Sequence, residues 1–298
     1  MRGRGVLLDR VTQFVLARKG KEIRPTLVLL AARACGGGGD RALRAAALVE
    51  LLHTATLVHD DVVDEAERRR GAFSINALWK NKVAVLFGDY LLSRGLLLAL
   101  DHGDHDFLHL ISDAVRRMSE GELLQIEKTR RLDIDQGTYY RIIADKTGSL
   151  IAACLACGAA SAGADGETVA RMKDAGESLG LAFQVRDDLF DYGGADVGKP
   201  LGLDLQDRKL TLPLIAALER ATPSQRRDVI QTIRSRRRRA AAAPDILRFV
   251  QHHGGLEFAR AAMEEHAAAA AAIIRELPPS DARDALIDLA EYIVARKS

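Results

Sequence analysis

An all-α architecture is the fold class that this sequence predicts, on three observations. The 298-residue chain holds 47 alanines and 41 leucines, both strong helix formers. Aromatic residues make up only 5%, too few to suggest a β-sandwich or barrel. The seven prolines stand at 25, 200, 213, 223, 244, 278 and 279, so the 174 residues from Thr26 to Lys199 contain none. With 48% apolar residues the chain is large enough for a substantial core. No linker and no repeat of fixed period divides it, so it reads as one domain, 1–298.

The elements follow in order. A first helix is predicted over 7–18. Pro25 sits in the favoured first-turn position of a second, 25–34, and Gly36 to Gly39 form a flexible loop. A third helix covers 41–64, followed by an arginine-rich loop, 65–71, and a short helix, 75–79. The stretch 83–100 is so apolar that it is expected to be buried on most sides. Further helices are predicted over 106–127, 136–145, 148–162 and 168–191. A Gly/Pro/Asp-rich loop spans 192–207, and helices resume at Leu210. The 18 residues from Thr147 to Ala164 carry no charge, near the lower limit for a membrane span. They are mostly Ala, Gly, Ser and Cys, which favours a helix buried in a bundle. The basic run Arg234 to Arg239 reads as a solvated helix end, with at most a weak attraction to a membrane surface.

The charge balance, 43 basic against 41 acidic residues, does not suggest a nucleic-acid binder. Three cysteines, Cys35, Cys154 and Cys157, exclude a disulfide scaffold and suit a reducing, cytoplasmic setting. Cys154-Ala-Ala-Cys157 lies in an Ala-rich helical stretch and reads as a buried face rather than a redox pair. The N-terminus carries no recognisable secretory signal.

Two acidic clusters carry the chemistry. His59-Asp60-Asp61-Val62-Val63-Asp64 ends one apolar helix, and Asp187-Asp188-Leu189-Phe190-Asp191 ends another with the same spacing. On a helix the first and last aspartates of each cluster stand one above the other, where like charges repel unless a cation neutralises them. One D-D-x-x-D is an ordinary acidic helix end. Two copies suggest six carboxylates facing one cavity, a set suited to a hard divalent cation such as Mg2+. Mg2+ is commonly shared with substrate phosphates, so a phosphorylated ligand is expected. Basic residues near these clusters, Lys21, Arg24, Arg68 to Arg70, Lys146, Lys199 and Lys209, look like clamps for a charged leaving group. No Ser/His or Cys/His nucleophile is evident.

At this point the chain resembles the all-trans polyprenyl diphosphate synthases of the isoprenoid synthase family. The resemblance runs from Lys21 to about Pro213 and more weakly to the C-terminus. It rests on Gly20-Lys21-x-x-Arg24-Pro25, Glu50-x-x-His53 and the first acidic cluster, then Arg69-Arg70-Gly71, Gly88-Asp89 and Gly121-Glu122-x-x-Gln125. Lys146-Thr147, Phe183-Gln184 with the second cluster, Gly198-Lys199, Asp204-Leu205 and Lys209-Leu-Thr-Leu-Pro213 complete it. The resemblance implies a helical bundle around a deep central cavity, a homodimer and about three Mg2+ per site. Asp60, Asp61 and Asp64 on one wall and Asp187, Asp188 and Asp191 on the other would hold the metals. Lys21, Arg24, His53 and Arg70 would bind isopentenyl diphosphate. Arg69, Lys146, Lys199 and Lys209 would bind the allylic diphosphate, and Thr147 and Gln184 would steady a cation.

Product length follows from the same resemblance. The growing tail would run down the helix that ends in Asp60, past Thr56, Ala55, Leu52, Leu51 and Leu48. Small residues at 55 and 56 place the floor at least one turn deeper than in short-chain members, roughly 5 Å. A C25–C40 product is favoured, with C20 as the alternative if Leu51 or Leu48 closes the tunnel. A terpene cyclase would carry a different second motif. A non-catalytic subunit would have lost acidic motifs. A di-iron bundle would need partners for Glu50-x-x-His53. The departures from the family pattern are a lead-in of only about 20 residues before Lys21, Lys19 where a second Gly is usual, Gly148 where Ala is usual, and Arg208 where Gly commonly precedes the lysine.

Overall fold

The structure is a computed structural model. It describes residues 5–17, 20, 22–69, 72–193, 203–235 and 241–295, with Arg69 and Leu203 described by backbone alone. The all-α class is what is found. α1 (Val6–Leu16) lays Phe14 edge-on against Trp79, ring centroids 4.8 Å apart. α2 (Ile23–Ala34) and α3 (Asp40–Val63) follow. The expected loop after α3 instead holds a two-stranded hairpin, β1 (Arg68–Arg69) and β2 (Ala72–Phe73), with Arg68 opposite Phe73. Strands of two residues are too short to show a periodicity in the sequence.

α4 (Ile75–Asp101) is two helices in direct succession, broken at Lys80, where φ is 71° and ψ 161°. The break falls between the two helices that the sequence predicts. The expectation that 83–100 is buried on most sides is overturned: Val85, Leu86, Leu97 and Leu100 are exposed. They form one stripe on a helix of 3.6 residues per turn, while Phe87, Leu91 and Ala99 face inward. α5 (His105–Arg131) and α6 (Gln136–Ile143) lead into a π turn, Ala144–Gly148, that continues as α7 (Ser149–Ser161). Every residue of α7 is buried, including Cys154 and Cys157, as expected of an uncharged helix inside a bundle.

α8 (Gly166–Phe190) starts where the Asp165 carboxylate accepts the Thr168 amide at 2.7 Å, which satisfies a donor at the helix start. The expected 192–207 loop contains one turn of helix, α9 (Leu203–Gln206). α10 (Leu212–Arg220), α11 (Pro223–Arg234), α12 (Ala243–His252), α13 (Gly255–Arg275) and α14 (Asp281–Ala295) complete the chain. Arg234 ends α11 as the basic run predicts, and 236–240 lie outside the described residues.

α7 sits at the centre, against α2, α5 and α8, and α13 covers α8 from the other side. Small residues set these distances. A Cβ on Gly180 of α8 would lie 2.6 Å from the Cα of Gly148, so α8 and the π turn meet backbone to backbone. One contiguous apolar cluster joins Leu27, Leu52, Phe107, Leu155, Leu179 and Leu286. A smaller one ties α1 to α3 and α4 through Val11, Ala55, Val58, Phe87 and Leu91. Truncating a fully buried leucine such as Leu155 to alanine costs about 2–5 kcal/mol.

Candidate active site

The π turn is the starting point. Insertion of one extra residue into a helical turn widens it, and such turns recur at functional sites. Here Lys146 and Thr147 lie in its middle. Gly121 of α5 lets the turn approach, since a Cβ there would stand 2.9 Å from the Cβ of Asp145. Lys146 Nζ pairs with the Glu122 carboxylate, which accounts for the Gly121-Glu122 motif. Thr147 Oγ1 donates to Gln184 Oε1 at 2.8 Å. Gln184 Nε2 donates to Asp188 Oδ1 at 3.0 Å. The Tyr139 hydroxyl donates to the other oxygen of Asp188 at 2.6 Å.

A cavity of about 390 Å³ opens over this chain of hydrogen bonds. Lys146, Thr147, Gln184, Asp187, Asp188, Asp191, Asp204 and Lys209 line it, with Ile142, Ile143 and Leu210 as its apolar wall. Burial pushes the Asp188 carboxyl up to about 7, against the downward pull of its bonds from Tyr139 and Gln184. Asp204 is also raised, first by burial and then by the charge of Asp191. Its backbone amide donates to Asp191 Oδ2 at 3.2 Å, and Lys209 Nζ stands 3.9 Å from its carboxylate. The cavity thus gathers more negative charge than Lys146 and Lys209 offset. That imbalance, and the all-oxygen donor set, fit a hard divalent cation. Among the described residues no three His, Cys, Asp or Glu side chains converge tightly enough to hold an ion by themselves. Substrate phosphates and water would supply the remaining ligands, as is usual for magnesium.

A second cavity, about 720 Å³, lies between α1, α3, the hairpin and α4. Its wall is mainly apolar: Phe14, Val15, Leu16, Leu51, Leu57, Val58, Phe73, Ile75, Phe87 and Leu91. Glu50, His53, Thr54 and Asp61 give it a polar side. The first acidic cluster is therefore divided. Asp61 is buried on this wall, whereas Asp60 and Asp64 are exposed. Successive residues on a helix differ by about 100° in direction, so neighbouring aspartates face different ways. Asp187, Asp188 and Asp191 line the first cavity and Asp61 the second.

A family model for polyprenyl synthetases matches residues 6–250. The chain belongs to the polyprenyl synthetase family. It is a prenyl-transferring enzyme by that membership. The octaprenyl diphosphate synthase of Escherichia coli strain K12 is 39% identical to it over 292 residues, spanning 97% of this chain and 90% of the relative. A short chain isoprenyl diphosphate synthase of Methanothermobacter thermautotrophicus is 34% identical over 296 residues, 97% and 90% of the two chains. The crystal structure of a decaprenyl diphosphate synthase from Rhodobacter capsulatus matches with a TM-score of 0.93 and 38% identity, covering 99% of this chain and 92% of that one.

Within this polyprenyl synthetase, Lys146, Thr147, Gln184, Lys209 and the second acidic cluster come together on one cavity. His53 is buried on the wall of the other. Arg24 is half-buried in the first turn of α2 and stands on the wall of neither. Lys21, Arg70 and Lys199 lie outside the described residues, as does the side chain of Arg69. Of the five residues expected along the product tail, Leu51 lines a cavity. Leu48 and Leu52 are packed in the main core and press on α4 at Gly95, and Ala55 is packed in the smaller cluster. Thr56 turns its hydroxyl back to the His53 carbonyl at 2.9 Å. Sequence reasoning missed Tyr139, Asp204, Thr54 and Leu57. Asp204 stood in a quoted motif and was the one within reach. Tyr139 is a buried aromatic beside a second tyrosine, with no sequence signal to separate the two.

Proposed function

We propose that this enzyme condenses isopentenyl diphosphate with an allylic diphosphate, repeatedly, to give an all-trans polyprenyl diphosphate of about C25–C40. The observation that carries this reading is the polar cavity over the π turn, where carboxylates, two lysines and a threonine–glutamine pair face one space. The proposed metal set is about three Mg2+, held by Asp187, Asp188 and Asp191 with Asp60, Asp61 and Asp64. Bound magnesium supplies positive charge that favours a leaving diphosphate. Lys146 and Lys209, with Lys199 and Arg69, add fixed cationic partners for the same group. An interaction that strengthens as charge develops lowers the barrier to breaking the allylic C–O bond. The double bond of isopentenyl diphosphate, held by Lys21, Arg24, His53 and Arg70, then attacks the allylic carbon. A proton leaves the new chain for the released diphosphate, so the step balances without a protein nucleophile.

Relatives of similar identity carry both octaprenyl and short-chain names, so likeness alone does not set the length. The apolar 720 Å³ cavity beside α3 supports the longer product. Leu51 on its wall favours the C20 alternative if that side chain closes the space. A homodimer in the cytoplasm, with at most weak association with membrane surfaces and no nucleic-acid partner, completes the reading. The test is transfer of label from isopentenyl diphosphate onto farnesyl diphosphate with magnesium. Asp187→Ala and Asp60→Ala are expected to lower turnover about a thousandfold while the circular dichroism stays unchanged. Unaltered turnover in both would remove the metal assignment.

A further inference from the structure

We propose that Tyr139 and Asp188 are positioning residues that fix the direction of the Thr147 hydroxyl dipole, so that its lone pairs face the reacting allylic carbon. The inference rests on the proposed prenyl transfer and adds two residues to it. A carboxylate only accepts hydrogen bonds. In its ionised form Asp188 therefore obliges Gln184 to turn its amide nitrogen toward it, at 3.0 Å. The glutamine oxygen must then face the other way, toward Thr147, at 2.8 Å. A threonine hydroxyl has one proton, and Thr147 spends it on Gln184. Its lone pairs are left for the cavity that Thr147 lines.

Reversing the amide would set two oxygen acceptors face to face at Asp188. Tyr139 opposes that reversal from the other side. Its hydroxyl holds the second carboxylate oxygen at 2.6 Å, and its ring is only 4% exposed. Asp188 itself is 5% exposed, so water does not readily replace either partner. Tyr139 lies on α6, Thr147 on the π turn and Asp188 on α8. Three elements thus determine one dipole. A dipole fixed before reaction stabilises developing positive charge without reorganising.

The test compares two unreactive farnesyl diphosphate analogues of the same shape. One carries a protonated amine at C1 and the other a neutral carbon. Their Kd values are measured by calorimetry with magnesium, and the ratio reports stabilisation of positive charge independently of turnover. The parent enzyme is expected to prefer the cationic analogue. Tyr139→Phe and Asp188→Asn should each reduce that preference about fivefold, the worth of one hydrogen bond. In Tyr139→Phe the neutral analogue should bind within about twofold of the parent, and kcat should fall in step with the ratio while KM for isopentenyl diphosphate holds. Thr147→Ser, which keeps the hydroxyl, should retain the preference, and Thr147→Val should lose it. A Tyr139→Phe protein with unchanged ratio and kcat overturns the inference. So does an equal loss for both analogues, which would assign Tyr139 to diphosphate or metal binding. If Tyr139→Phe does not fold, Asp188→Asn decides by the ratio alone, since loss of a metal ligand weakens both analogues together, and an unchanged ratio overturns the inference. Failure of the parent to elongate any primer would instead overturn the prenyl-transfer reading.

Discussion

Lys80 holds a backbone conformation, φ 71° and ψ 161°, that glycine alone adopts readily, at a cost of about 1–3 kcal/mol for other residues. Lys80→Gly is expected to raise stability by about 1 kcal/mol after the entropy cost of glycine. Thermal unfolding checks this, and a lowered Tm would contradict it. Arg208 is the other instructive case. It stands where the family commonly has glycine, and its φ of +61° shows why glycine suits the position. The departure was legible in the sequence, but its cause was a dihedral angle and was not. Asp188 sets a pH dependence. Its folded-state pKa, about 7, lies above the ordinary carboxylate value, so its contribution to stability is full below about pH 4 and is lost as pH rises through 7. In chelator, the urea midpoint should fall between pH 5 and pH 8, and Asp188→Asn should flatten the fall. Positive charge brought near the cavity favours the ionised form, the form that orients Gln184.

α3 and α8 end in the same acidic spacing and present it alike, the first aspartate exposed and the second buried. On α8, Asp188 turns inward to Tyr139 and Gln184 while Asp187 is exposed. On α3, Asp61 is the inward residue. Spacing showed which residues share a face of their own helix. The rotation of each helix about its axis depends on what it packs against, and that does not follow from spacing. The product-length positions show the same limit. Ala55 is buried in a packed cluster with Phe87 and Leu91, whereas Leu51 lines open space. Leu51→Phe is therefore expected to shorten the longest product by about one isoprene unit at nearly parental stability. Ala55→Phe should cost about 1–3 kcal/mol through overpacking. Product chromatography and thermal melts on the pair separate the two. A shortened product from Ala55→Phe alone would place the tail on the other face of α3.

At the scale of the molecule, the bundle and the order of its helices were readable from alanine, leucine and the proline-free stretch. The two-residue strands and the single turn of α9 were not, because neither is long enough to impose a period. The stripe of Val85, Leu86, Leu97 and Leu100 on α4 is apolar and exposed, Leu86 at 59%. α4 is also long and apolar enough to cross a membrane, by length and composition alone. Contiguous exposed apolar surface of this kind marks an interaction face, which supports the proposed homodimer. Leu86→Glu with Leu97→Glu is expected to shift sedimentation equilibrium from dimer to monomer, and an unchanged dimer would move the interface elsewhere.

The central claim is prenyl elongation to a medium or long chain. Its most direct test is chromatography of the dephosphorylated products formed by the purified enzyme from farnesyl diphosphate, labelled isopentenyl diphosphate and magnesium. A ladder ending between C25 and C40 is the expected result. A clean stop at C20 would contradict the product length, and no addition to any primer would contradict the elongation itself.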